Sequence, residues 1–307
     1  MTRNILVTGG AGFIGSNLVR ELVEKNTVYV LDNLHSGCMG NLLDVIDKII
    51  FLKGSCSDKE PFEHIGADIE VIYHLGIPSS SPMYKENPNL VGDAINGAIN
   101  VFEFAKRKGV KKVIYASSSS LYNGLTPPHD ESMKINVTDY YTEARFEIER
   151  IAELYNRLYD INSMGLRFFS VYGMHEEFKG KYANIITQFL WDMQKNQSPI
   201  IYGNGEQRRD FVFVSDVVNA CIASQHLTFT HDICNVGSGV SHSFNDVVDI
   251  LNKKMGSEIC PKYVEMPVKN YVECTLANVD KMKSLGFAHV YSLDRGIEKL
   301  LKYYRRE

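Results

Sequence analysis

Three glycines, Gly9, Gly12 and Gly15, recur at three-residue intervals behind the apolar run Ile5–Val7. Glycines at that spacing permit a tight strand-to-helix turn, close approach of backbone to a pyrophosphate, and close packing of helix on strand. The helix that begins there turns its N-terminus toward the phosphates. A second apolar run, Val28–Leu31, ends in Asp32, about 20 residues on, where an acid accepts from a ribose 2′-hydroxyl and repels a 2′-phosphate. The pattern implies a bound dinucleotide, and NAD rather than NADP.

Tyr141 and Arg145 lie four residues apart, which puts both on one face of a helix. Ser118 closes an apolar run that ends at the same sheet edge. A hydroxyl, a phenol and a cation beside a nicotinamide suit the oxidation of an alcohol. Ser118 would hydrogen-bond the reacting oxygen, and Tyr141 would take its proton, aided by the positive charge of Arg145. Without the dinucleotide loop the same residues read as a turn serine, a packing tyrosine and a surface cation.

The elements that must position these groups follow from hydrophobic periodicity. Strand-length runs at Ile5–Thr8, Val28–Asp32, Ile49–Lys53, Val71–His74, Lys112–Ser117 and Met164–Arg167 alternate with helical stretches at Phe13–Lys25, Leu90–Lys108 and Tyr140–Tyr159. That alternation predicts an α/β fold, a Rossmann-type doubly wound parallel sheet covered by helices. Val91, Ile95, Ala98, Phe102 and Ala105 form one buried stripe, and Ile148, Ile151, Ala152, Tyr155 and Tyr159 another. After Arg167 the rhythm loosens into the polar connection Gly173–Lys181, and a smaller α/β substrate-binding domain is expected. The division expected is 1–168 plus about 208–233 for NAD, with about 169–207 and 234–307 for the second domain. A second domain over the carboxyl edge of the sheet would make a cleft.

The chain has 307 residues, 44% hydrophobic and 23% charged, with a net charge of −4. Such a balance gives no reason to expect nucleic acid or a membrane surface as partner. The six cysteines show no CxxC pair or disulfide cadence, no run approaches membrane-spanning length, and nothing marks export, so a cytoplasmic setting is the expectation. The nine histidines contain no HExxH, and His231 with Cys234 is a pair without further ligands, so no metal is expected.

The segments TGGAGFIGS (8–16), LDNL (31–34), YHLG (73–76), YASSSSLY (115–122), YTEAR (141–145), LRFFSVYG (166–173) and YGNGEQRRDFVFVSDV (202–217) together resemble the extended short-chain dehydrogenase/reductases, and within them the nucleotide-sugar epimerases typified by UDP-glucose 4-epimerase. The resemblance runs over nearly the whole chain. It implies NAD held by Gly9, Gly12, Phe13, Ile14, Gly15, Asp32, Asn33, Leu75, Gly76, Ile77 and Ser117 together with Tyr141 and Arg145, and Ser118, Tyr141 and Arg145 as the catalytic set. Arg145 stands where the family has lysine, and guanidinium is the bulkier and less mobile cation. Ser55 and Asp58 lie where the family often recognises adenine with an aspartate. Pro78 takes a position where some epimerases have lysine, and Ala94 replaces a usual asparagine.

For the substrate, the resemblance implies contacts from Ser118, Ser170, Asn184, Tyr202, Arg209 and Thr275, with Arg209 rather than Arg208 clamping the diphosphate. Lys269 takes the place next to an expected second arginine. Related 4,6-dehydratases carry Asp and Glu after the catalytic hydroxyl residue, where this chain has Ser119 and Ser120, so water elimination is disfavoured and epimerisation at carbon 4 of a UDP-hexose is expected. Thr275, small where some relatives have tyrosine, leaves room for a 2-acetamido group. Glu176 and Glu177 lie where uronate epimerases carry arginine, an arrangement expected to repel an acidic sugar. The alternatives are a net NAD-dependent dehydrogenase of the same fold and a non-catalytic NAD-binding regulatory protein. A homodimer through the helices at 90–108 and 140–159 is expected on analogy alone.

Overall fold

The computed structural model describes residues 2–265 and 272–305. In chain order the first half comprises β1 (Arg3–Thr8), α1 (Phe13–Leu22), β2 (Asn26–Asp32), β3 (Ile49–Lys53), α2 (Glu60–Glu63), β4 (Val71–His74), α3 (Ser81–Glu86), α4 (Leu90–Lys108), β5 (Lys112–Ser118), α5 (Tyr140–Tyr159) and β6 (Asn162–Phe168). The rest comprises β7 (Ser170–Tyr172), α6 (Ile185–Gln194), β8 (Ile200–Tyr202), β9 (Arg208–Phe213), α7 (Val214–Ser224), β10 (His231–Val236), β11 (Ser241–Ser243), α8 (Phe244–Met255), β12 (Lys262–Val264), α9 (Asp280–Ser284) and α10 (Leu293–Arg305).

Seven strands form one sheet in the order β10-β6-β5-β4-β1-β2-β3, and every pairing in it is parallel. This is the doubly wound arrangement, with the strand order reversing at β1 and a ligand crevice beyond the carboxyl ends there. β4 is buried at all four positions, as a strand covered on both faces must be. Each helix meets the sheet with its apolar stripe: Ala98, Phe102 and Ala105 of α4 and Ile148, Ile151 and Ala152 of α5 are buried. The expected stripe on α5 ends early, because Tyr159 is exposed, along with Leu154 and Leu158.

β11, β9 and β7 form a small second sheet, and β12 pairs with β8. Around them a separate core gathers Tyr172, Phe189, Phe211, Phe213, Phe244 and Ile297. The segment 208–233 is shared: β9 lies in the small sheet, whereas Val214, Val217, Val218 and Cys221 of α7 pack into the main core. β10, which runs to Val236, completes the edge of the main sheet.

α5, which carries the candidate catalytic pair, is fixed at both ends. A reciprocal capping box joins Asp139 and Thr142 at its start, and Asp160 closes it in the left-handed conformation.

Candidate active site

Gly9 leaves β1 with φ of +70°, and a Cβ there would lie 2.6 Å from the Gly76 Cα. A Cβ on Gly15 would come within 2.0 Å of the Gly9 carbonyl oxygen. No larger residue fits either position, so the loop keeps α1 against β1 and β4. Gly12 caps α1 without a side-chain hydrogen bond, which leaves the first-turn N–H groups for a ligand.

Asp32 ends β2 and is buried. Its Oδ2 accepts from the Ala11 N–H at 2.9 Å and its Oδ1 from the Leu34 N–H at 2.7 Å. Burial pushes its carboxyl above the usual range, against the pull of those two donors. The carboxylate is therefore held in place before any ribose arrives.

A cavity of about 660 Å³ runs along this edge. Its lining includes Gly9, Gly12, Phe13, Ile14, Gly15, Asp32, Asn33, Leu75, Gly76, Ile77, Ser117, Ser118, Tyr141 and Arg145, together with Ser170, Arg209 and Thr275. Loop, acid and phenol thus share one cleft, and its backbone cradle and volume fit a dinucleotide.

Tyr141 and Arg145 are both buried on one face of α5, as their spacing requires. The Arg145 guanidinium lies 5.0 Å from the centroid of the Tyr141 ring, and the edge of Tyr84 meets that ring at 5.5 Å. Arg145 donates from Nη1 to the Ala116 carbonyl and from Nη2 to the Pro78 carbonyl, each at 3.0 Å. Its Nε is buried with no partner among the described residues. The guanidinium therefore ties α5 to the end of β5 and to the loop after β4. Ser118 accepts from the Ser120 N–H at 3.1 Å, which leaves its own proton available for a substrate oxygen. Ser117, although it lines the cavity, donates its hydroxyl to Glu149 Oε1 at 2.5 Å.

Arg209 reaches the cavity, whereas Arg208 turns to the Ser241 carbonyl at 2.8 Å. Thr275 is buried in the wall, its Oγ1 accepting from the Asp210 N–H at 3.2 Å. Asn184 stands one layer behind: it caps α6 and donates to Ser170 Oγ at 3.1 Å and to the Val171 carbonyl at 2.9 Å. Tyr202 is exposed on β8 and does not line the cavity. Lys269 lies outside the described residues. Ser55 is in the cavity wall, and Asp58 is not.

Contrary to expectation, Glu176 does not face a sugar and cannot repel an acidic one. Glu176 is fully buried and accepts from the Asn184 N–H at 2.9 Å, Thr187 Oγ1 at 2.5 Å and Lys179 Nζ at 3.2 Å. The residue of this segment that faces the cavity is a cation, Lys179, 5.1 Å from the Phe13 ring. Sequence reasoning missed Lys179, as well as Glu149 and Arg167 behind the site. Glu149 carried a signal, since it continues the Tyr141–Arg145 spacing by a further four residues. Among the described residues no cluster of metal-binding side chains occurs, and no helix is long and apolar enough to cross a membrane.

The fold and the cleft define an NAD-dependent enzyme of the Rossmann type. Residues 5–237 match the NAD dependent epimerase/dehydratase family, and the chain belongs to it. Over 306 residues it is 36% identical to a putative UDP-glucose 4-epimerase of Methanocaldococcus jannaschii, with 98% of each chain covered. A UDP-N-acetylglucosamine 4-epimerase from Methanobrevibacter ruminantium, solved with UDP-N-acetylmuramic acid, superposes with a TM-score of 0.94 at 28% identity and 99% coverage of both chains. A UDP-glucose 4-epimerase from Thermotoga maritima, solved with UDP-glucose, gives 0.93 at 29% identity and 99% coverage of both.

Proposed function

We propose that this protein interconverts UDP-hexoses at carbon 4, UDP-glucose with UDP-galactose and also their N-acetyl counterparts. The observation that carries the reading is the convergence of Ser118, Tyr141 and Arg145 with the glycine loop and Asp32 in one cavity that Arg209 also lines. NAD bound there supplies a hydride acceptor and, on the return step, a donor. Tyr141 takes the proton of the 4-hydroxyl and gives it back, and Ser118 hydrogen-bonds the same oxygen and holds it in line. Arg145 favours the negative phenolate by its charge. Arg209 anchors the diphosphate through its planar fork, so the sugar can turn about that anchor between the two hydride transfers. Ser119 and Ser120 place no acid or base for water elimination.

The NAD-binding part is residues 1–168 with much of 208–233 and the nucleotide sugar takes the remainder, with Asn184 supporting Ser170, Tyr202 serving the uracil region and Lys269 serving as a second cation for the diphosphate. The assembly proposed is a homodimer through α4 and α5, supported by exposed Leu154, Leu158 and Tyr159 on α5. Incubation of the purified protein with each of the four UDP-sugars, with products resolved by NMR, tests the activity. The expected result is the 4-epimer without net NADH; NADH accumulation marks the dehydrogenase alternative, and no 4-epimer from any of the four refutes the proposal.

A further inference from the structure

Behind the site, Glu149 and Arg167 form an ion pair with both side chains almost wholly out of solvent. Arg167 donates from Nη2 to Oε2 at 2.7 Å and from Nε to Oε1 at 2.9 Å. Neither residue lines the cavity. A buried pair of this kind stabilises a fold little, and often less than a well-packed apolar pair would. Its connections point to a different use.

Glu149 Oε1 also accepts the hydroxyl of Ser117. Arg167 Nη1 donates to the Tyr122 hydroxyl at 2.8 Å, its guanidinium lies 5.0 Å from the Tyr122 ring, and that hydroxyl donates to Asn235 Oδ1 at 2.7 Å. Ser117 directly precedes Ser118, and Tyr122 closes the short 3-10 turn Ser119–Tyr122 that follows it. On the helix side, Glu149 follows Tyr141 and Arg145 along one buried face of α5. Arg145 in turn holds the Ala116 carbonyl, one residue before Ser117.

We propose that Glu149 and Arg167 are positioning residues that lock the Ser118 turn and the Tyr141–Arg145 face of α5 into one rigid unit. The pair clamps the turn at both ends and the helix at one point, so Ser118 and Tyr141 keep a fixed separation at a shared substrate oxygen. Misplacement of such groups by about 1 Å is enough to lower turnover about 10²-fold.

The test compares Glu149→Gln, Arg167→Gln, the double variant and Tyr122→Phe with the parent. Each single charge removal leaves an unpaired buried ion, whereas the double variant leaves none, so it is expected to melt nearer the parent than either single variant. Its UDP-sugar KM is expected to stay within about threefold while kcat falls at least about tenfold. Tyr122→Phe, which keeps the ring, is expected to lower kcat by about threefold with KM unchanged. A double variant with parental kcat, or kcat losses that simply track loss of folded protein, overturns the proposal. The kinetic readout rests on the epimerase reading; a parent without turnover refutes that reading, and crystal structures then decide the clamp alone. Displacement of Ser118 relative to Tyr141 in the double variant supports it, and parental positions overturn it.

Discussion

The guanidinium of Arg145 sits 5.0 Å from the centroid of the Tyr141 ring, one helical turn along α5, and is held there by the carbonyls of Ala116 and Pro78. The cation therefore serves two purposes, as a charge beside the phenol and as a staple between α5, β5 and the loop after β4. Tyr141→Phe removes the proposed proton acceptor and is expected to lower kcat by about 10²–10⁴ with the melting temperature nearly unchanged. Arg145→Met removes charge and staple together and should lower both kcat and stability. Arg145→Lys keeps the charge but offers a point donor in place of a fork, so kcat within about tenfold of the parent is expected. NMR turnover and thermal melts distinguish the three. An Arg145→Met variant that turns over like the parent would remove Arg145 from the chemistry.

Asp32 is held by two backbone donors, the Ala11 and Leu34 N–H groups, one to each oxygen. Asn in its place can offer an oxygen to one donor only, and its amide then faces the other. Asp32→Asn is expected to destabilise the fold by about 1–3 kcal/mol. It should also weaken NAD binding about tenfold or more and narrow the preference over NADP, because the repulsion of a 2′-phosphate is gone. Calorimetric titration with both cofactors checks this; an unchanged NAD-to-NADP ratio would show that other groups read the ribose.

The dinucleotide half was legible because its signals are local. The glycine spacing, the acid after β2 and the alternating runs each describe their own backbone, and they reappear as the parallel sheet in the order β10-β6-β5-β4-β1-β2-β3. Ser118, Tyr141 and Arg145 were legible through motif spacing, and the cavity brings all three together. What the sequence could not display is which way a loop side chain turns. Glu176 reads as a negative charge near the sugar until Thr187, Lys179 and the Asn184 backbone, up to eleven residues away, close around it. Arg167 reads as a strand-end cation until Glu149 of the neighbouring helix meets it. Pairings set by packing between elements leave no period in the chain.

Thr275 lies in the cavity wall with little exposed surface, fixed by the Asp210 N–H. A side chain as large as tyrosine there must project into the cavity and compete with any bulky sugar substituent. Thr275→Tyr is expected to reduce turnover of the N-acetylhexosamine nucleotides about 10–200-fold while leaving UDP-glucose and UDP-galactose within about threefold. Thr275→Ser, which retains the hydroxyl, should leave both classes unaffected. Equal losses for both classes in Thr275→Tyr would mean that the ring disturbs the diphosphate or cofactor site instead of screening carbon 2.

His74 ends β4 with no exposed surface. Its Nδ1 pairs with Thr8 Oγ1 at 2.8 Å, and its Nε2 is buried with no partner among the described residues. Burial, aided by the charge of Arg145, lowers its pKa to about 3, so the folded protein holds it neutral. The unfolded chain takes up that proton near pH 6.5. As the folded value lies below the unfolded one, the associated stability is complete above about pH 6.5 and is lost progressively as pH falls toward about 3. Between about pH 6.5 and 5 the loss from His74 alone is about 2 kcal/mol. Other histidines contribute to acid sensitivity as well, among them His175, which burial lowers to about 4, so the decisive quantity is a difference between proteins. His74→Gln retains a partner for Thr8 without a titrating ring, and urea unfolding of parent and variant across this range should show a parental loss larger by about 2 kcal/mol. Parallel pH dependences would mean that the ring accepts its proton in the folded state, and that the end of β4 is open to water.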